Sequence, residues 1–245
     1  MDEITLLLLK GEPVALVTGR SLDWLIDRVV GKFKERIDDI KLLNNFFVVG
    51  EKGGVWGVFE NGRLHRDLDK QRAIPKSMRD RVKQLVEDKF SDVMFFDSTK
   101  QTMITVEMNE GVSEKKFKSR QDELNRELEN ILREANLLSA LKIDSIRIST
   151  DIQYKDIDKG FAAQIASHLI KSKGFKPQKF MTFGDIKSDV QMAQRLHKEG
   201  FAVEFVFLGD SIQFEEQNFP FPIILSHSPG EKGTLEYLKS QPVDT

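Results

Sequence analysis

Residues 180–196 read FMTFGDIKSDVQMAQRL. Phe180, Met181, Thr182 and Phe183 make a mostly apolar run of the kind that ends a buried strand. Gly184 lets the backbone turn sharply, and Asp185 follows at once. Ser188 and Asp189 stand where a helix cap belongs, and Val190, Met192, Ala193 and Leu196 supply the apolar face of a helix. Asp185 and Asp189 therefore fall on a strand-to-helix loop at the carboxyl end of a strand, the edge at which open α/β sheets place their ligand crevices. Two hard oxygen ligands four residues apart, beside a helix N-terminus, suit Mg²⁺ and a phosphate together. The plainer alternative is a capped turn, with Asp189 as the cap and Asp185 solvated.

Outward from this stretch, the same kind of unit recurs at the start of the chain. A short helix over residues 2–10 precedes the apolar strand Pro13-Val14-Ala15-Leu16-Val17, which ends in Thr18-Gly19-Arg20-Ser21. A helix opens there with Leu22, Leu25, Ile26, Val29 and Val30 on one face. Strands are expected at 46–49 and 55–59, with Glu51-Lys52-Gly53-Gly54 between them and a tight hairpin turn at Asn61-Gly62. This alternation predicts a parallel sheet with crossover helices. Residues 64–74 are charged and weakly patterned. A helix over 77–90, strands at 93–96 and 103–108, a long charged helix over 113–138 with a Leu124, Leu128, Ile131, Leu132 stripe, and one or two short strands over 145–152 then follow in a different order. That order predicts an inserted α+β module. The parallel pattern resumes with Asp158-Lys159-Gly160 and a helix, the 180–196 unit, a strand at 202–208, a last strand at 222–225 and a helix at 233–238. Residues 241–245 read as a frayed tail. The expected architecture is an α/β, Rossmann-like parallel-sheet core over residues 1–62 and 155–245, with a cap domain over 63–154 and linkers crossing near 63–75 and 153–158.

Composition limits the function. With 245 residues, 40% of them hydrophobic and 31% charged, the chain is an ordinary soluble globular protein in make-up. A formal net charge of -2 gives no positive field to draw in a nucleic acid. The absence of cysteine excludes disulfides, thiolate nucleophiles and Cys-ligated zinc, and fits a cytoplasmic location. His65, His168, His197 and His227 lack metal-ligand spacing. The apolar run at 4–9 is too short to span a membrane and has no signal-peptide pattern.

Three polar points now fall at strand ends or helix starts. The Thr18 hydroxyl and the N–H groups around Gly19 can hold phosphate oxygens. Lys159, at a helix N-terminus, can neutralise charge that builds in phosphoryl transfer. Asp185 and Asp189 can hold a Mg²⁺ that clamps the same phosphate. Each has a plainer alternative, Thr18 as a helix cap, Lys159 as a surface charge and the aspartates as a capped turn. Their joint order is what gives the pattern weight.

In that order the chain resembles the haloacid dehalogenase (HAD) superfamily, in its Cof-like type IIB branch. Thr18-Gly19-Arg20-Ser21 after VALV resembles the second motif, Asp158-Lys159-Gly160 the third, and Gly184-Asp185 through Ser188-Asp189 and Met192 the fourth. Lys52 departs from the Asn-Gly turn that the branch usually carries there. The resemblance implies a Mg²⁺-dependent phosphatase fold acting on a small phosphorylated metabolite, often a sugar phosphate. It makes Thr18 and Lys159 catalytic, Thr18, Gly19, Arg20 and Lys159 phosphate-binding, and Asp185 and Asp189 metal ligands. The family's first motif, Asp-x-Asp-Gly-Thr, is not found in residues 1–17. Asp2 has neither an apolar strand before it nor an aspartate two residues on, and is not read as the nucleophile. The expected function is a HAD-type phosphohydrolase, truncated or inactive as it stands. The alternative is a catalytically dead HAD-like protein that binds a phosphorylated ligand or a protein partner.

Overall fold

In the computed structural model of the chain, residues 2–209 and 218–241 are described; of the expected tail at 241–245, residues 242–245 lie outside them. The structure is built on three sheets. The first has the order β1-β2-β3-β4, from Val14–Val17, Phe46–Gly50, Val55–Glu60 and Arg63–Leu68. β1 and β2 run parallel, so their connection must cross over, and it does so through a helical stretch over residues 22–34. That stretch is α-helical at α2 (Leu22–Leu25) and α3 (Gly31–Lys34), with one π-helical segment, Ile26–Val30, between them. β2, paired on both edges, is buried along its whole length. The return from β2 to β3 is antiparallel, which the expected parallel alternation did not foresee, while the turn from β3 to the antiparallel β4 is the hairpin expected at Asn61-Gly62. Asn61 and Gly62 both take positive φ, 49° and 77°, as a two-residue hairpin of this kind requires. β4 itself was unforeseen and carries the first sheet past the expected boundary at residue 62.

The second sheet, β11-β10-β9, is parallel throughout and comes from Ile223–Leu225, Ala202–Phe207 and Lys179–Gly184. α7 (Val190–Lys198) lays Val190, Met192, Ala193 and Leu196 onto Val203, Phe205 and Phe207 of β10, the face the sequence predicts. α8 (Gly230–Ser240) meets β9 through Tyr237, whose ring stands edge-on to Phe183. Among the described residues no strand pairs with the free edges of β1 and β9. The mixed first sheet and the parallel second sheet are joined instead by side chains. Val17 of β1 packs into the β10–α7 cluster, and Ala15 and Val17 also meet Ala162 and Ala166 of α6 (Lys159–Ser172).

The third sheet, β5-β6-β8-β7, is wholly antiparallel and belongs to the insert. Its strands are Met94–Phe96, Ile104–Met108, Ser149–Tyr154 and Leu141–Ser145, and none pairs with the other two sheets. α4 (Lys76–Lys89) and α5 (Glu114–Glu134) cover it. α5 is charged outside, but Phe117, Leu124, Leu128, Ile131 and Leu132 are buried in one stripe, and full burial of each such side chain stabilises by roughly 1.5–3 kcal/mol. Ser113 caps α5 by accepting a hydrogen bond from the Lys116 N–H. The two crossing segments are tied to each other. Arg72 donates to Asp156 from Nε and Nη2 at 3.1 and 2.5 Å, and lies 4.7 Å over the Phe161 ring. This hydrogen bonding holds the Asp156 carboxyl below the usual carboxylate range and the Arg72 guanidinium above its own. No helix among the described residues is long and apolar enough to cross a membrane.

Candidate functional site

The turn after β1 is shaped by hydrogen bonds of its own backbone. The Thr18 N–H continues the parallel ladder to the Val49 carbonyl at 2.9 Å, and the Thr18 carbonyl accepts from the Lys52 N–H at 2.9 Å. Thr18 Oγ1 accepts from the Arg20 N–H at 3.1 Å. Thr18 is thus not the helix cap. That role belongs to Ser21, whose Oγ accepts from the Trp24 N–H at 3.2 Å. Thr18 instead fixes the turn that presents Gly19 and Arg20, while its hydroxyl proton remains a possible donor to an anion. The stem of Lys52 lies over Gly19, close enough that a Cβ added there would sit 3.5 Å from Lys52 Cε.

At the other strand end, Asp158 caps α6 by accepting from the Phe161 N–H at 2.7 Å, and Lys159 opens the helix. Lys159 Nζ is paired with Asp189 Oδ1. Asp189 Oδ2 accepts from the N–H groups of Asp185 and Ile186 at 3.0 and 3.1 Å. The carboxylate therefore turns back onto the strand end rather than capping α7, as a plain capped turn would have it. Gly184 makes this possible, since a Cβ there would stand 2.1 Å from Asp189 Cβ. Asp189 is buried and Asp185 is exposed.

The structure thus joins Lys159 to Asp189, not to the Asp185 side chain. It links Thr18 to them through a chain of contacts: Thr18 to the Lys52 N–H, and Gly53 against Phe161 and Ala162 at the start of α6. Asp185 and Asp189, the expected Mg²⁺ ligands, do not make a cation site on their own. Both oxygens of Asp189 are already engaged by one ammonium and two amides. Among the described residues no group of three His, Asp or Glu side chains could hold a metal ion. Mg²⁺ asks for near-octahedral oxygen coordination, and this donor set does not fit it.

Glu51 and Glu107 were not singled out by the sequence, and Lys52 only as a departure from an expected turn. Glu51 is fully buried, with φ 49°, and its carboxylate is met by the N–H groups of Gln101, Thr102 and Met103 and by the Thr102 hydroxyl. Lys52, at φ 53°, sends Nζ across to Gln153 Oε1 at 2.6 Å and to Asp151 and Asp144 at 3.4 and 3.5 Å. Arg20 Nη1 donates to both oxygens of Glu107, at 3.0 and 3.2 Å. Asp151 in turn accepts from the Thr105 hydroxyl at 2.6 Å, beside the buried Lys100. Two consecutive non-glycine residues in the left-handed region are the local signal that something holds this turn.

With this geometry in view, the chain can be set beside known proteins. No family model and no curated protein sequence matches it. Solved structures do match in fold. The C-terminal domain of the Candida albicans trehalose synthase regulatory protein superposes with a TM-score of 0.62 at 14% identity, over 97% of this chain and 85% of that one. The sucrose-phosphatase of Synechocystis sp. PCC6803 gives 0.55 at 15%, over 97% and 89%. The trehalose-6-phosphate phosphatase of Aspergillus fumigatus gives 0.51 at 16%, over 97% and 82%. The fold is thus a Rossmann-like α/β core with an inserted α+β cap, an arrangement shared with these solved structures.

Proposed function

We propose that this chain takes a small phosphorylated metabolite, of the sugar-phosphate class, in the crevice at the carboxyl ends of β1 and β9, on a HAD-type phosphohydrolase scaffold that binds without turnover as it stands. The reading is carried by two cations, Arg20 and Lys52, at the Thr18–Gly19 turn and a third, Lys159, at the β9 loop. A guanidinium can grip two phosphate oxygens at once, and the lysines add point charges. The names of the fold neighbours support the ligand class, since they include phosphatases of trehalose 6-phosphate and sucrose phosphate. The insert, in this reading, is the cap that covers the crevice.

Binding without turnover follows from the carboxylates. Hydrolysis of the HAD kind needs one carboxylate to attack phosphorus and another to protonate the leaving oxygen. Asp189 has one oxygen on Lys159 and the other on two backbone amides, so neither oxygen is free to attack phosphorus or to serve the leaving oxygen. Asp185 lies exposed on the loop. No step is assigned to Mg²⁺, because the donor set does not fit it. Calorimetric titration with glucose 6-phosphate tests the reading on the full chain and on Arg20→Gln. Saturable binding, weakened by about ten-fold in the variant, as loss of a charge-assisted pair would give, supports it. Equal affinity of the two proteins would remove Arg20 from the site, and no binding to either would overturn the reading.

A further inference from the structure

Arg20, Glu51 and Lys52 all belong to the core turns beside Thr18, yet the hydrogen bonds of each of their side chains go to the insert. Glu51 binds the entry to β6, at Gln101, Thr102 and Met103. A Cβ on Gly54, three residues on, would stand 1.8 Å from Thr102 Oγ1, so the two units touch here without a gap. Arg20 meets Glu107 on β6, and Lys52 meets Asp151 and Gln153 on β8 and Asp144 on β7. The insert thus offers three carboxylates to two of the cations proposed to bind phosphate.

We propose that the closed insert is an internal competitor of the phosphate ligand, so that binding of the anion releases it. The proposal rests on the phosphate reading given above. Each cation can serve the insert's carboxylates or a phosphate dianion, but a phosphate held on Arg20 and Lys52 brings its charge against Glu107 and Asp151. Ligand and closure therefore oppose each other, and by linkage each weakens the other by the same factor. Glu51 has a different part. It is buried, meets only uncharged donors and faces no cation that an anion could capture. It is the pivot that stays attached while the Arg20 and Lys52 contacts part. The exposed Arg72–Asp156 pair marks the second point about which the insert swings.

The test uses inorganic phosphate as the probe and the full chain, which has no cysteine and so accepts a spin-label pair at Glu129→Cys on α5 and Lys198→Cys on α7. Affinity is read by calorimetry, and the distance between labels by pulsed electron spin resonance. The variant is Glu107→Gln with Asp144→Asn. Asp151 is left in place because it also faces the buried Lys100, whose charge its loss would strand. Phosphate is expected to lengthen the label distance in the parent chain. The double variant is expected to show the longer distance in part before ligand is added, and to bind phosphate up to about ten-fold more tightly, the scale of two partly exposed ion pairs. Phosphate that binds both proteins equally, or that shortens the distance, overturns the competition while leaving the phosphate site standing. Phosphate that binds neither protein overturns the site itself, and the competition with it.

Discussion

Truncation of Glu51 to alanine is the perturbation on which the packing of the insert against the core can be judged. The carboxylate is fully buried. Oε2 accepts from the Thr102 N–H at 2.6 Å, the Thr102 hydroxyl at 2.8 Å and the Met103 N–H at 3.2 Å, and the Gln101 N–H lies 2.9 and 3.0 Å from the two oxygens. Alanine leaves four donors without this acceptor. At the low end of the usual cost of an unmet buried donor, about 1 kcal/mol each, the loss is about 4 kcal/mol. Glutamine keeps one acceptor oxygen but turns an N–H₂ group towards donors, so it should fall between the two. With a urea m-value of about 3 kcal/mol/M, the alanine variant's midpoint should drop by about 1.3 M, with the slope unchanged. Urea titrations of the parent, Glu51→Gln and Glu51→Ala read this directly. A drop under about 0.3 M for alanine, on the same m-value, would refute the reasoning, because Glu51 would then be replaceable by solvent.

Two other outcomes follow from single contacts. Gly184→Ala places a methyl on Asp189, so it should destabilise by about 1–3 kcal/mol and also weaken phosphate binding through the displaced Lys159 partner; thermal unfolding and calorimetry would show both effects, and an unchanged melting point would contradict the close approach. Asp156 is held below the usual carboxylate range by Arg72, so its contribution is complete above that range and is lost as pH falls through its lowered folded value. The pair is partly exposed, so a double-mutant cycle of Arg72→Ala and Asp156→Asn should give no more than about 1 kcal/mol at neutral pH, and less as acid protonates Asp156; a coupling that does not change with pH would contradict the assignment.

Much of the fold was legible because the apolar periodicities are strong. VALV, FFVV and the Val190–Leu196 face each point to one element, and the stripe of α5 shows clearly through its charged exterior. β4 was not legible. Its sequence, RLHRDL, is an edge strand with only Leu64 and Leu68 partly buried, so four of its six residues are exposed and charge masks the alternation. The antiparallel return from β2 was hidden for a related reason, since it depends on the left-handed turn at Glu51 and Lys52, residues that propensity does not place there. At the candidate site, local sequence singled out Thr18, Lys159 and Asp189 and offered capping as their plainer alternative roles. Ser21 caps where Thr18 was an alternative, and Asp189 folds back because Gly184 leaves room for it. Glu51 and Glu107 gave no sequence signal of their own, and Lys52 stood out only as a departure from the turn of the family the chain resembles. Their partners lie some fifty to a hundred residues away, and a buried carboxylate becomes interpretable only when its donors are in place.

The central claim, a crevice that binds a phosphorylated metabolite without cleaving it, is tested most directly by ³¹P NMR of glucose 6-phosphate mixed with the full chain and Mg²⁺. One spectrum series reports both halves of the claim. The account predicts that the ester signal shifts or broadens in proportion to protein and that no inorganic phosphate appears. An ester signal that the protein leaves untouched, or an inorganic phosphate signal that grows with time, would contradict it.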